Sequence, residues 1–254
     1  MRLNAVEAGE GAPLALLHGL FGAAGNWGTI QKRLAAAHRV IALDLRNHGA
    51  SGRDAAMDYP AMADDVAATL EALGAAPAAV LGHSMGGKAA MALALARPAL
   101  VRRLIVADIA PVAYPPGLRE YVAAMQAVPL HPGLTRREAD AALAPAVPEA
   151  GIRAFLLQNL RLGGEGPQWR LGLAEIADAM PVIEGFPDLA GRYEGPVLVL
   201  RGERSAYVRP EHEARFRALF PAVEFATVPA AGHWVHAENP AGFLALVEPF
   251  LGAG

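Results

Sequence analysis

Gly82-His83-Ser84-Met85-Gly86 is the stretch whose residue types point most directly to chemistry. It fits G-x-S-x-G, follows the strand-like run Ala79-Val80-Leu81, and leads at once into a helical pattern of Ala, Met and Leu. A serine on such a strand–turn–helix is held in a strained turn with its hydroxyl exposed, as a nucleophile requires. A rival reading uses the same residues. Gly82 to Lys88 also spells G-x-x-x-x-G-K, the opening of a phosphate-binding loop, and Leu104–Asp108 could hold magnesium behind it. Residue 89 is Ala, so the hydroxyl that would ligate the metal is missing and the nucleotide reading fails at that position.

A serine nucleophile needs a base, and imidazole titrates near neutrality. Of eight histidines, His233 is the best placed: Ala231-Gly232-His233-Trp234 follows a strand-like run and lies C-terminal to Ser84. His83 adjoins the serine, with its side chain expected to point away. His233 and His236 could be taken for a metal pair, but no third ligand cluster accompanies them, so no metal is expected. Acyl transfer also needs an oxyanion hole, which two backbone N–H groups supply. One is expected from Met85, next to the serine, and the other from His18-Gly19-Leu20-Phe21-Gly22, with Leu20 preferred and Phe21 second.

These residues must be positioned by buried elements. Leu14–Leu17, Val40–Leu45, Ala79–Gly82, Leu104–Ile109, Val197–Leu200 and Val223–Val228 are short, continuous apolar runs. Such runs predict strands buried on both faces of a parallel sheet. Helical patterns alternate with them, one opening at Tyr59-Pro60 with Asp64 and Asp65 near its positive end, another at Pro240. The fold class is therefore α/β. The alternation stops from Pro111 to Pro196, a stretch holding 11 of the 20 prolines and no strand-like run. Helical pieces are expected there at Leu118–Ala127, Thr135–Ala144 and Glu149–Leu160. The division is a core over 1–110 and 193–254 with an inserted helical cap over 111–192. Ligands of open α/β sheets bind at the carboxyl ends of the strands, where Leu20, Ser84 and His233 all fall. Phe21, Phe155, Trp169 and Trp234 are candidate pocket residues, with Leu156 and Leu160 as further cap candidates.

Composition narrows the classes. The chain has 254 residues and no cysteine, which excludes disulfide scaffolds, thiolate metal sites and cysteine nucleophiles. Lys+Arg is 22 against 25 Asp+Glu, with only two lysines, and the charges are scattered, so nucleic-acid binding has no electrostatic support. No apolar stretch approaches the ~20 residues of a membrane span, and the N-terminus shows no apolar signal region. A cytoplasmic monomer or homodimer with no membrane partner is expected.

His18–Gly22, Asp44-Leu45-Arg46-Asn47-His48-Gly49, Gly82–Lys88, Asp108-Ile109-Ala110-Pro111 and His233–Glu238 together resemble the α/β-hydrolase superfamily. More narrowly, they resemble the YbfF-type bacterial esterases and their mitochondrial abhydrolase relatives. The resemblance spans essentially the whole chain and is weakest in the cap. It implies a serine hydrolase of small to medium acyl esters or thioesters, working through an acyl-enzyme and needing no cofactor. C–C bond hydrolysis and perhydrolysis use the same triad on this fold, and a ligand receptor could retain it. The triad order Ser84, acid, His233 fits the superfamily. The acid departs from the common pattern: Ser205 stands about where Asp is usual after Val197–Leu200, and no Asp follows residue 195. The YbfF-type resemblance assigns the acid to Asp108. Glu203 is the alternative, and Asp44 is expected to brace the Arg46–Gly49 turn.

Overall fold

The computed structural model describes residues 1–164 and 166–252 of the chain. Seven strands form one sheet: β1 Ala5–Ala8, β2 Ala12–Leu17, β3 His38–Leu43, β4 Ala78–His83, β5 Val101–Ala107, β8 Val197–Gly202 and β9 Val223–Val228. Their spatial order is β1-β3-β2-β4-β5-β8-β9, parallel except for β1, which pairs antiparallel with β3 at one edge. Successive side chains alternate between two apolar cores. Ala15, Leu17, Val80, Leu104 and Val106 face one, and Leu14, Leu16, Ala79, Leu81 and Ile105 face the other. That is the two-period of a strand buried on both sides. Helices α2 (Tyr59–Ala72), α3 (Met85–Ala96) and α8 (Glu213–Leu219) cover the first face. α1 (Gly28–Leu34), α9 (Val235–Glu238) and α10 (Pro240–Gly252) cover the second. Pairings of Leu17 with Gly82, Gly82 with Val106, and Ala107 with Leu200 bring the strand tips level. The residues just beyond the tips are therefore neighbours.

Between β5 and β8 the chain forms α4 (Arg119–Ala127), α5 (Arg136–Leu143), α6 (Ala150–Leu157) and α7 (Leu173–Glu184). Met125, Leu143, Leu156 and Ile176 of these helices join the same core as α2 and α3, so the insertion seats its apolar side on the sheet's first face. Two features there differ from expectation. A short ladder, β6 (Leu160–Arg161) with β7 (Gln168–Trp169), interrupts the helices. α7 runs through Pro181 and has no counterpart among the predicted pieces.

Asp64 and Asp65 also differ from the sequence reading. Asp58 caps α2, its carboxylate accepting from the Ala61 N–H at 2.7 Å. Asp65 sits about two turns further on, buried, and pairs with Arg46 Nε at 2.7 Å and with the N-terminal ammonium. Arg46 also donates to the carbonyls of Ala61 (3.1 Å) and Ala56, so one guanidinium ties the turn after β3 to α2. Removing one partner of a buried ion pair costs about 3–5 kcal/mol where nothing else compensates the remaining charge; Asp65 keeps the N-terminal ammonium, which reduces the cost to about 2–3 kcal/mol. Arg46→Ala should lose that amount in urea denaturation. A loss below about 1 kcal/mol, the range of exposed pairs, would contradict the account.

Candidate active site

Ser84 follows β4 directly and takes φ 53° and ψ −121°, a conformation L-residues rarely adopt. Such strain costs on the order of 1–3 kcal/mol and persists only where surroundings enforce it. The enforcement is visible. The Ser84 N–H donates to Ala107 O at 3.0 Å, and α3 starts at once, with Lys88 N–H donating to Ser84 O at 3.1 Å. Gly86 lies against the end of β2: a Cβ there would stand 2.5 Å from the carbonyl oxygens of Leu17 and His18. The contact brings the His18–Gly22 loop against the serine turn.

Asp108 leaves β5 with φ 53° and is completely buried. Its N–H donates to Leu200 O at 2.8 Å. Oδ1 accepts from the Gly202 N–H at 3.0 Å. Oδ2 accepts from the Ser205 hydroxyl and lies 2.8 Å from His233 Nδ1. His233 Nε2 lies 3.0 Å from Ser84 Oγ. An ionised carboxylate only accepts, so Nδ1 carries the ring proton and Nε2 is left to accept from the Ser84 hydroxyl. The Tyr207 ring stacks on His233 at 4.0 Å between centroids, 23° from parallel. The Tyr207 N–H in turn donates to Ser205 Oγ at 3.2 Å.

Glu203 stands apart from this line. Its carboxylate accepts from the Ala230 N–H at 2.7 Å and braces an outer loop. Asp44 accepts from the N–H groups of Ala24 (2.7 Å) and Ala50 (2.8 Å) and from Asn4 Nδ2 (2.8 Å), fixing the turn that follows β3. Sequence reasoning marked Ser205 only as the place of a missing acid and did not single out Tyr207. The hydroxyl two residues from a tyrosine was the available signal for both.

The N–H groups of Leu20 and Met85 have no acceptor among the described residues. Phe21, the second choice in that loop, spends its N–H on His48 Nε2 at 3.2 Å. The first turn of α3 adds the positive end of its helix dipole at Met85. Three further imidazoles hold the surrounding loops. His18 Nε2 accepts from the Leu45 N–H (2.9 Å) while Nδ1 donates to Gly19 O (2.8 Å). His48 Nδ1 donates to Arg46 O (2.8 Å). His83 makes no hydrogen bond to the Ser84 hydroxyl among the described residues; its Nε2 donates to His233 O at 2.9 Å, and its ring lies 4.7 Å from that of His233.

Ser84 opens into a cavity of about 380 Å³ whose walls include Phe21, Trp27, Ile152, Phe155, Leu156 and Trp234. Phe155 meets Trp234 edge-on at 6.1 Å, joining α6 to the His233 loop. Trp169 is a correction to the sequence reading. The β6–β7 ladder carries it to the far side of Phe21, where it lines a separate cleft of about 700 Å³ with Asp44 and Arg53. Leu160, on β6 of the same ladder, is buried in the core.

A strained serine on a strand–helix turn, an imidazole, a buried carboxylate and two free amides at the tips of a parallel sheet define a class of fold. Residues 12–240 match the family described as the alpha/beta hydrolase fold, and the chain belongs to that family. It is 43% identical over 246 residues to the sn-1-specific diacylglycerol lipase ABHD11 of Mus musculus, covering 94% of this chain and 80% of the relative. It is 37% identical to Esterase YbfF of Escherichia coli, covering 94% and 93%. Among solved structures, a marine microorganism esterase superposes with a TM-score of 0.94 at 32% identity, covering 98% of this chain and 99% of that one. Among the described residues, no helix is long and apolar enough to cross a membrane.

The buried histidines make stability depend on pH. Burial lowers His48 to about 3 with help from His18, and burial lowers His236 to about 4 with help from His233. His18 and His83 are lowered in the same way, chiefly by burial. In the unfolded chain all four titrate near 6.5. Below about pH 6.5 the unfolded state therefore takes up protons that the folded state refuses. Stability is greatest above that pH and falls with acidification toward about 4, the folded value of His236. Each refused proton contributes a slope of about 1.4 kcal/mol per pH unit. Urea midpoints should fall steeply between about pH 6 and 5, and His236→Gln should remove about one proton from the slope. A flat profile across that window would contradict the account.

Proposed function

We propose that the chain hydrolyses carboxylic esters, and thioesters of similar shape, through an acyl-enzyme on Ser84. It is a carboxylesterase-type hydrolase, as its fold and its esterase and lipase relatives support. The observation that carries the mechanism is the unbroken line from Ser84 Oγ through His233 to Asp108, ending in a cavity beside two unengaged amides.

In the forward step Ser84 Oγ attacks the acyl carbon and gives its proton to His233 Nε2. The carbonyl electrons move onto oxygen, which the Leu20 and Met85 N–H groups receive. Collapse breaks the bond to the leaving group, which takes the proton from Nε2. Water then attacks the acyl-serine carbon, again losing a proton to Nε2, and the acid departs as Ser84 Oγ recovers it. Asp108 stays ionised throughout and stabilises the imidazolium. Gly202 N–H and Ser205 spread its charge and hold it in place.

Ser84→Ala should abolish labelling by a fluorophosphonate probe and lower kcat by roughly 10⁶. Unchanged turnover, or labelling of another serine, would overturn the assignment. Asp108→Asn keeps the shape but removes the charge and favours the wrong tautomer, so kcat should fall by about 10²–10⁴. Glu203→Gln, remote from the imidazole, should cost less than about tenfold, or ~1.4 kcal/mol. A folded Asp108→Asn enzyme at wild-type rate beside an inactive Glu203→Gln would reverse the choice of acid.

A further inference from the structure

The cavity has a second, smaller arm of about 70 Å³ on the other side of Ser84. Ser84, Leu20 and Tyr207 border both arms, but His233 and Trp234 border only the larger one, and Met85 and Lys88 only the smaller one. This asymmetry sorts the substrate. A leaving group must take its proton from His233 Nε2, so it departs through the larger arm. With the carbonyl oxygen at the Leu20 and Met85 amides, the acyl chain is left for the smaller arm.

Lys88 lines that arm and is only 2% exposed. Nζ donates to the carbonyl oxygens of Glu184 (3.1 Å) and Gly185 (2.6 Å), at the end of α7. The Tyr114 ring stands 4.8 Å away and that of Tyr59 5.7 Å. An ammonium has three N–H groups, and the third has no acceptor among the described residues. Neither tyrosine supplies one. The Tyr59 hydroxyl donates to Ile183 O at 2.6 Å, and the Tyr114 hydroxyl accepts from Ala110 N–H at 2.8 Å and donates to Tyr207 O at 2.7 Å. The Glu184 carboxylate borders the arm but is held by Arg119 at 3.0 and 3.1 Å. With Lys88 protonated, the three side chains sum to one positive charge with a donor unspent.

We propose that this arm is the acyl pocket and that Lys88 makes it selective for short acyl groups ending in a carboxylate, of the succinyl or glutaryl class. A space of this size admits a few heavy atoms, since a water's share of liquid volume is about 30 Å³, which excludes long alkyl chains. Burial alone lowers Lys88 to about 7, and an anion beside Nζ opposes that effect, so binding the carboxylate and keeping the proton support each other. The inference rests on the reading that Ser84 is acylated.

The test compares monobenzyl succinate with benzyl isocaproate, a neutral ester of matched shape, on the full chain. The expected result is a kcat/KM at least about tenfold higher for the succinate, equivalent to ~1.4 kcal/mol, with Lys88→Met erasing or inverting the ratio. Free succinate should also inhibit wild-type hydrolysis of benzyl acetate competitively, where isocaproate does so less. That measurement stands even if Lys88→Met fails to fold. Equal or better turnover of the isocaproate, with no inhibition by succinate, overturns the proposal and leaves esterase activity intact. Absence of hydrolysis of every ester, or full activity in Ser84→Ala, overturns the acyl-enzyme reading and this proposal with it.

Discussion

The site depends on one backbone-to-backbone approach, the seating of Gly86 against the carbonyls of Leu17 and His18. A methyl group at residue 86 would separate the two loops, moving the Leu20 amide away from the serine it must serve. The approach is possible because β2 and β4 are adjacent and in register, with Leu17 opposite Gly82. It is rigid because each loop is tied elsewhere. His18 joins its loop to the turn after β3, and Ser84 is bonded across to β5. The positive φ values at Phe21, Ser84 and Asp108 lie at the tips of three adjacent strands, β2, β4 and β5. A few kcal/mol of local strain is thereby carried by the most buried part of the sheet.

The position of the acid follows from the same geometry. On β5, next to β4, Asp108 reaches His233 from a strand directly hydrogen-bonded to the one that carries Ser84. β8, one strand further out, contributes neutral donors: the Gly202 amide and the Ser205 hydroxyl. A carboxylate at position 205 would meet Asp108 at contact distance, and two like charges there cannot both ionise. Serine at 205 and aspartate at 108 are thus one choice rather than two. Stacking of Tyr207 on the imidazole face completes the restraint on His233, leaving the edge toward Ser84 free.

The fold was legible because its strands are continuous apolar runs and its turns carry their glycines in the sequence. The edge and insertion features that escaped have weak local signals. β1 is a four-residue edge strand with two exposed positions, and the β6–β7 ladder pairs only two residues per strand. α7 contains Pro181, a residue that reads as an interruption in a sequence and is tolerated in the fold. That Ser84 and His233 should come together was legible from motif and order. Asp108 needed a family resemblance, because several acidic residues end or follow strands and only the three-dimensional register tells them apart. Asp65 was misread for a related reason. A charge near a helix start suggests the dipole, but its partner Arg46 lies 19 residues away, beyond any local pattern. Trp169 was misplaced because an aromatic residue in a cap can face either side of Phe21.

The burial of Lys88 also has a practical side. The chain has just two lysines, and the second, Lys32, is exposed in the last turn of α1 on the opposite face of the sheet. Among the described residues Lys32 is therefore the one exposed lysine, five positions along the chain from Trp27 at the cavity wall. Tethering to a support through that side chain would present every molecule from its α1 face.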